Sequence, residues 1–145
     1  MCDVLLLERN RLVCALLGEI LQDAGFDMMV ARNPPDVLRI VHEAPPRVLV
    51  TNLGPQAVPE GLLLARAARS IEPELCVIYS TCRDDISDHH LRRREYCLLK
   101  PYDPNSLVML LGEVLGDGEK GKPRPRSTAT GPDPLRSYRR STRRA

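Results

Sequence analysis

RVLVTNLGP, residues 47–55, decides the fold. Val48, Leu49 and Val50 form an unbroken aliphatic run that passes through Thr51 and Asn52 into Gly54 and Pro55. A short apolar run closed by Gly and Pro reads as a strand buried on both faces that ends in a loop. Such strands occupy the middle of parallel sheets covered by helices on two sides, where sites form at the carboxyl ends of the strands. The last polar residue before this turn is Asn52. A carboxylate there would serve as nucleophile or metal ligand, and an amide does neither well.

Strand and helix patterns alternate on both sides of this stretch. VLLL (4–7) is strand-like, and Leu12, Val13, Leu16, Leu17, Ile20 and Leu21 recur at helical spacing until Gly25, a C-cap signal. FDMMVA (26–31) is a second strand, and Pro34 and Pro35 open a helix carrying Val37, Leu38, Ile40 and Val41 before Pro45 and Pro46 break the chain. After the third strand, RVLVTN (47–52), a helix is predicted over 61–71. ELCVIYS (74–80) gives a fourth strand, YCLLK (96–100) a fifth, and SLVMLLGEVL (106–115) the last helix. Between the last two strands, DDISDHHLRRRE predicts one short, very polar helix. Five such alternations predict a five-stranded parallel, doubly wound α/β sheet of the flavodoxin-like kind, with helices on both faces.

The chain of 145 residues is 43% hydrophobic and 28% charged, enough for one core, with no Trp, one Phe and four Tyr. So few aromatics exclude a stacking platform for single-stranded nucleic acid. No segment is long or apolar enough to span a bilayer, and no signal peptide is recognisable, so a cytoplasmic location is expected. Cys2, Cys14, Cys76, Cys82 and Cys97 have neither C-x-x-C spacing nor histidines at zinc spacing, and read as reduced thiols. The net charge of +2 hides an asymmetry: residues 1–116 carry 12 Lys/Arg against 16 Asp/Glu, and residues 117–145 carry 9 against 3. The second segment is rich in Gly, Pro, Ser, Thr and Arg, buries too little apolar surface to offset its ordering entropy, and reads as a disordered basic tail.

The predicted strand ends present Glu8 and Arg9, then Asn52, then Ser80 and Thr81, then Lys100 followed by Pro101. With LLLERNRLV, LQDAGF, LVTNLGP, IYSTC and LLKPYDPNSL in this order, the chain resembles the receiver domain of bacterial two-component response regulators from residue 3 to about 116. The resemblance implies an acidic pair after the first strand, a phosphoaccepting aspartate after the third that shares Mg²⁺ with that pair, a hydroxyl after the fourth and a lysine after the fifth. The matching positions are Glu8 and Arg9, Asn52, Thr81 (or Ser80) and Lys100, with a cis bond implied before Pro101. Cys97 falls where the family often has a switching aromatic residue, beside Tyr96.

The departures from that pattern set the functional expectation. Asn52 lacks the charged, amide-free oxygen that attacks phosphorus, so acyl phosphate formation is expected to be absent. Arg9 and Asn52 in place of two acids change the local formal charge by about +3, so Mg²⁺ binding is expected to be lost. Arg9 either fills the metal's place, donating to Glu8 and Asn52, or is a solvated residue at a helix start. His89 and His90 point apart on a helix and read as solvated, as does the run Arg92, Arg93, Arg94 unless it chooses partners. The expectation is a stand-alone, non-enzymatic receiver-like protein of a phosphorelay, with no output domain. It would act by contact with a histidine kinase, a phosphotransfer protein or another response regulator. Two alternatives stand beside it: phosphorylation at a substitute residue, and binding of nucleic acid phosphates through the basic tail.

Overall fold

The computed structural model describes residues 2–53, 60–81 and 91–116, together with the backbone of 138–140. Five parallel strands, β1 (Val4–Leu7), β2 (Met28–Ala31), β3 (Val48–Asn52), β4 (Cys76–Thr81) and β5 (Glu95–Leu99), form a sheet in the order β2-β1-β3-β4-β5. Helices α1 (Arg11–Asp23), α2 (Pro34–Glu43), α3 (Glu60–Ile71) and α4 (Pro104–Leu115) complete the doubly wound fold. The sequence patterns placed each strand and each of these helices to within a few residues. None of the described helices is long and apolar enough to cross a membrane.

Side chains alternate along a strand, so each strand feeds two cores. Val4 and Leu6, Val48 and Val50, Cys76 and Ile78, and Leu98 pack with Leu17, Leu21, Leu107 and Leu111 of α1 and α4. Leu5, Leu49, Val77, Tyr79 and Cys97 take the other face, with Val37, Val41, Leu64 and Ala68 of α2 and α3. The residues of β4 are all buried, as a strand covered on both sides requires.

Local chemistry sets the helix ends. Asn10 caps α1, its side chain accepting from Leu12 N (3.0 Å) and Val13 N (3.3 Å), and the chain leaves that helix through Gly25 at φ 90°. Asn33 caps α2 ahead of Pro34, and Asp103 caps α4 ahead of Pro104. Arg47 fastens the start of β3 to the rest of the domain, lying 3.6 Å from the buried Asp3 carboxylate and donating to the Leu115 carbonyl at 3.1 Å. Cys76 and Cys97 are buried thiols outside any disulfide, and burial pushes the Cys76 thiol above its ordinary pKa.

Two features depart from the sequence reading. Arg92–Arg94 lie outside any helix, Arg93 and Arg94 in a turn, with Arg94 in the left-handed region at φ 66°. Residues 82–90, with Cys82, His89 and His90, fall outside the described residues. Most of the basic tail does too, but Tyr138–Arg140 forms a sixth strand, β6, that pairs antiparallel with β5 (Tyr96 opposite Arg140, Leu98 opposite Tyr138). Three residues without apolar patterning gave no signal of this edge pairing.

One close approach positions the site. A Cβ on Gly61, in the first turn of α3, would lie 2.1 Å from the carbonyl oxygen of Asn52 and 2.9 Å from the Leu53 Cα. Only glycine lets α3 seat on the end of β3, where Gly61 N donates to Leu53 O at 3.0 Å. Gly61→Ala is therefore expected to lower unfolding stability by about 1–3 kcal/mol, read by urea denaturation. An unchanged midpoint would contradict this packing.

Candidate functional site

The alternation that fills the two cores also assembles the site. Asn52 and Ser80 extend the rows of Val48–Val50 and Cys76–Ile78 that face α1 and α4, and they are register partners across β3 and β4. Glu8 and Lys100 continue the same parity just past β1 and β5. Four side chains thus meet above the carboxyl ends of four strands. Asn52 Nδ2 donates to Glu8 Oε2 at 3.2 Å, while Lys100 Nζ at 2.7 Å and Ser80 Oγ at 2.9 Å both donate to Asn52 Oδ1. Lys100 Nζ also lies 3.7 Å from Glu8 Oε2, closing the ring of contacts. The second Glu8 oxygen accepts from Asn10 N at 3.1 Å, which joins the site to the start of α1.

The amide suits this setting better than a carboxylate would. Asn52 stands between an anion and a cation and offers N–H to the first and oxygen to the second. An aspartate has no donor for Glu8 and would bring a second negative charge against it. One ammonium, one carboxylate and one amide leave the cluster formally neutral. Glu8 is 10% exposed and Lys100 33%, so these contacts are shielded from bulk water more than a surface pair would be. Each hydrogen bond to a charged group in such a place contributes about 1.5–3 kcal/mol. Tyr102, just beyond Lys100, has its hydroxyl pKa pushed up to about 12, by burial first and by the charge of Glu8 second.

The sequence-predicted residues divide into those that meet and those that do not. Of the two hydroxyls, Ser80 reaches Asn52, whereas Thr81 belongs to the alternate row facing α3 and gives its backbone oxygen to Lys100 N at 2.7 Å. Arg9 corrects one expectation. Its side chain does not fill a metal's place between Glu8 and Asn52 but points outward, 89% exposed, with Glu60 as an ion-pair partner at 4.0 Å. Of the two residues that follow β1, Glu8 alone reaches Asn52. The Lys100–Pro101 peptide is cis, as the resemblance implied. Cys97 is buried in the core and Tyr96 is half-buried on the face of α1 and α4.

The receiver pattern implies Mg²⁺ at this site. Mg²⁺ takes six oxygens and prefers carboxylates. Here there is one carboxylate, an amide oxygen that already accepts from two donors, and an ammonium 3.7 Å from that carboxylate. Among the described residues no group of three or more His, Cys, Asp or Glu side chains converges on a metal position. These residues do not fit the ion.

Sequence reasoning missed a second polar cluster, at the opposite end of β5. Glu95 is fully buried and is held by Arg66 and Arg69 of α3 and by the Arg92 N–H at 2.9 Å. The available signal was the i,i+3 spacing of two arginines on the face of α3 that turns toward the sheet.

No family model matches the chain, and no curated protein matches it. Solved structures do. A response regulator receiver protein from Sinorhizobium medicae WSM419 is 20% identical, with TM-score 0.68 over 79% of this chain and 94% of that one. The Vibrio cholerae chemotaxis protein CheY4 is 20% identical, with TM-score 0.66 over 79% and 98% of the two chains. A CheY-like receiver domain protein from Methanospirillum hungatei JF-1 is 16% identical, with TM-score 0.67 over 84% and 99%. With the strand order β2-β1-β3-β4-β5 and the polar cluster at the strand ends, these likenesses lead to one conclusion: the chain has the fold of a response regulator receiver domain.

Proposed function

We propose that the chain is a receiver-like signalling module whose phosphoacceptor pocket is held shut and which works by binding other proteins. The observation that carries this reading is the Asn52 amide, hydrogen-bonded to Glu8 on one side and to Lys100 and Ser80 on the other. An amide oxygen is a poor nucleophile because its electron density is shared with nitrogen, and this one is also covered by two donors. The residues present do not fit Mg²⁺, so the ion that would neutralise an incoming phosphoryl group has no seat. The cluster is already satisfied and neutral. It favours one state and has no chemical input by which to leave it.

Partner binding has a surface to use. Leu12 and Leu16, one turn apart on α1, are 82% and 50% exposed, beside the Asn10 cap that touches Glu8. An apolar strip of this spacing suits the helix of a helical partner. In a receiver setting such partners are a histidine kinase, a phosphotransfer protein or another response regulator. The chain would occupy them in the cytoplasm without catalysing a reaction of its own.

Incubation with acetyl phosphate or with an active histidine kinase is expected to leave the intact mass unchanged. A base-labile mass gain would contradict the closed pocket, and an acid-stable one would transfer the acceptor role to a hydroxyl such as Ser80 or Thr81. Leu12→Asp with Leu16→Asp is expected to weaken co-purification with kinases or phosphotransfer proteins at least tenfold, with unfolding stability unchanged because both leucines face water. Retained capture would move the contact away from α1.

A further inference from the structure

Below the sheet, at the end away from Asn52, α3 and the turn before β5 frame a hollow of about 350 Å³. It is lined by Arg66, Arg69, Ser70, Pro73, Arg92 and Arg93. Among the described residues the lining holds four guanidinium groups and no acid. Glu95, which pairs with two of these arginines, Arg66 and Arg69, is fully buried. Glu95 parity explains the arrangement: it shares the row of Cys97, on the face that meets α3, and so it draws Arg66 and Arg69 inward. Arg69 Nη1 donates both to Glu95 Oε2 at 3.2 Å and to the Arg93 carbonyl at 2.8 Å, and this ties the turn to the helix. Arg66 and Arg69 are only 26% and 19% exposed, each oriented before anything binds.

The turn itself is held in a costly shape. Arg94 has φ 66°, a region that side chains other than glycine seldom enter and that costs on the order of 1–3 kcal/mol. Arg94 Nη1 donates to Glu74 O at 2.6 Å and pairs with Glu74 Oε2 at 2.8 Å, which fixes that conformation and neutralises Arg94. The result is that the exposed side chains of Arg92 and Arg93 stand on the rim, neither of them in an ion pair among the described residues. Glu95 therefore organises the cluster without cancelling it among the described residues, since its one carboxylate meets the guanidinium groups of Arg66 and Arg69 and the backbone N–H of Arg92, while the side chains of Arg92 and Arg93 stay at the rim.

We propose that this hollow is an anion site for a diphosphate group, read by Arg92 and Arg93 at the rim and by the fixed guanidinium groups of Arg66 and Arg69 at the wall. Guanidinium is planar and presents paired N–H donors that match phosphate oxygens two at a time, and arginines already oriented by Glu95 lose little freedom on binding. A multiply charged oxyanion matches the excess of positive charge where a monoanion does not. The group has two chemical sources, inorganic pyrophosphate and a nucleoside diphosphate.

Isothermal titration of the full chain at low ionic strength, with inorganic pyrophosphate in one arm and a nucleoside diphosphate in the other, tests the site. Saturable one-to-one binding is expected in at least one arm, and the tighter arm names the source. Arg92→Ala with Arg93→Ala is expected to weaken it at least tenfold. These two side chains stand on the exposed rim, so the melting temperature should not change. The tail is also basic, so a second variant, Arg139→Ala, Arg140→Ala, Arg143→Ala and Arg144→Ala, is expected to bind as the wild type does. Absence of saturable binding in both arms overturns the proposal, as does binding that follows the tail arginines and ignores Arg92 and Arg93.

Discussion

Side chains in a β-strand point alternately to opposite faces, and nearly every feature of this molecule follows from how its residues respect that period. One parity of β1, β3, β4 and β5 delivers Val4, Val50, Ile78 and Leu98 to the core under α1 and α4, then brings Glu8, Asn52, Ser80 and Lys100 into contact at the carboxyl ends. The opposite parity delivers Leu5, Leu49, Val77 and Cys97 to the core under α2 and α3 and starts, on β5, with Glu95. A single rule thus builds two cores and two polar clusters. The clusters lie at opposite ends of the sheet, on opposite faces.

The two clusters solve the same electrostatic problem in different ways. At the carboxyl end, a single carboxylate and a single ammonium are bridged by an amide that donates to one and accepts from the other, so no charge is left over. At the amino end, one buried carboxylate is met by two arginines, and two more stand at the rim, so among the described residues positive charge remains. A neutral, fully bonded cluster resists ligands because any newcomer must displace hydrogen bonds that water does not replace well. A cationic hollow with oriented donors invites them.

The fold was legible because strand and helix signals alternate with clear punctuation. Val48–Val50 and the closing Gly54 and Pro55 read as a central strand, and Pro34 and Pro35 mark a helix start. Asn52, Glu8 and Lys100 were legible as site residues from their places at strand ends. The choice between Ser80 and Thr81 was not, because a one-residue uncertainty in the end of β4 reverses the face. The direction of Arg9 was equally hidden, since it lies two residues past the end of β1, where strand alternation carries no further than Glu8. Glu95 and its arginines were obscured by the run RRRE, which looks like a solvated helix end. Tertiary contact with α3 and a left-handed residue at Arg94 turn it into an organised cluster. Local propensity carries no information about such long-range pairing.

The most direct test of the closed pocket is calorimetric titration of Mg²⁺ with and without beryllofluoride, comparing the wild type with the double variant Arg9→Asp, Asn52→Asp. The amide network predicts no binding heat from the wild type. In the variant, a carboxylate at position 52 against Glu8, with a second at the neighbouring position 9 in place of a cation, predicts Mg²⁺ binding that strengthens when beryllofluoride is present. Saturable Mg²⁺ and beryllofluoride binding by the wild type would show that the Asn52 network opens to a metal and a phosphoryl mimic, and would contradict the account at its centre.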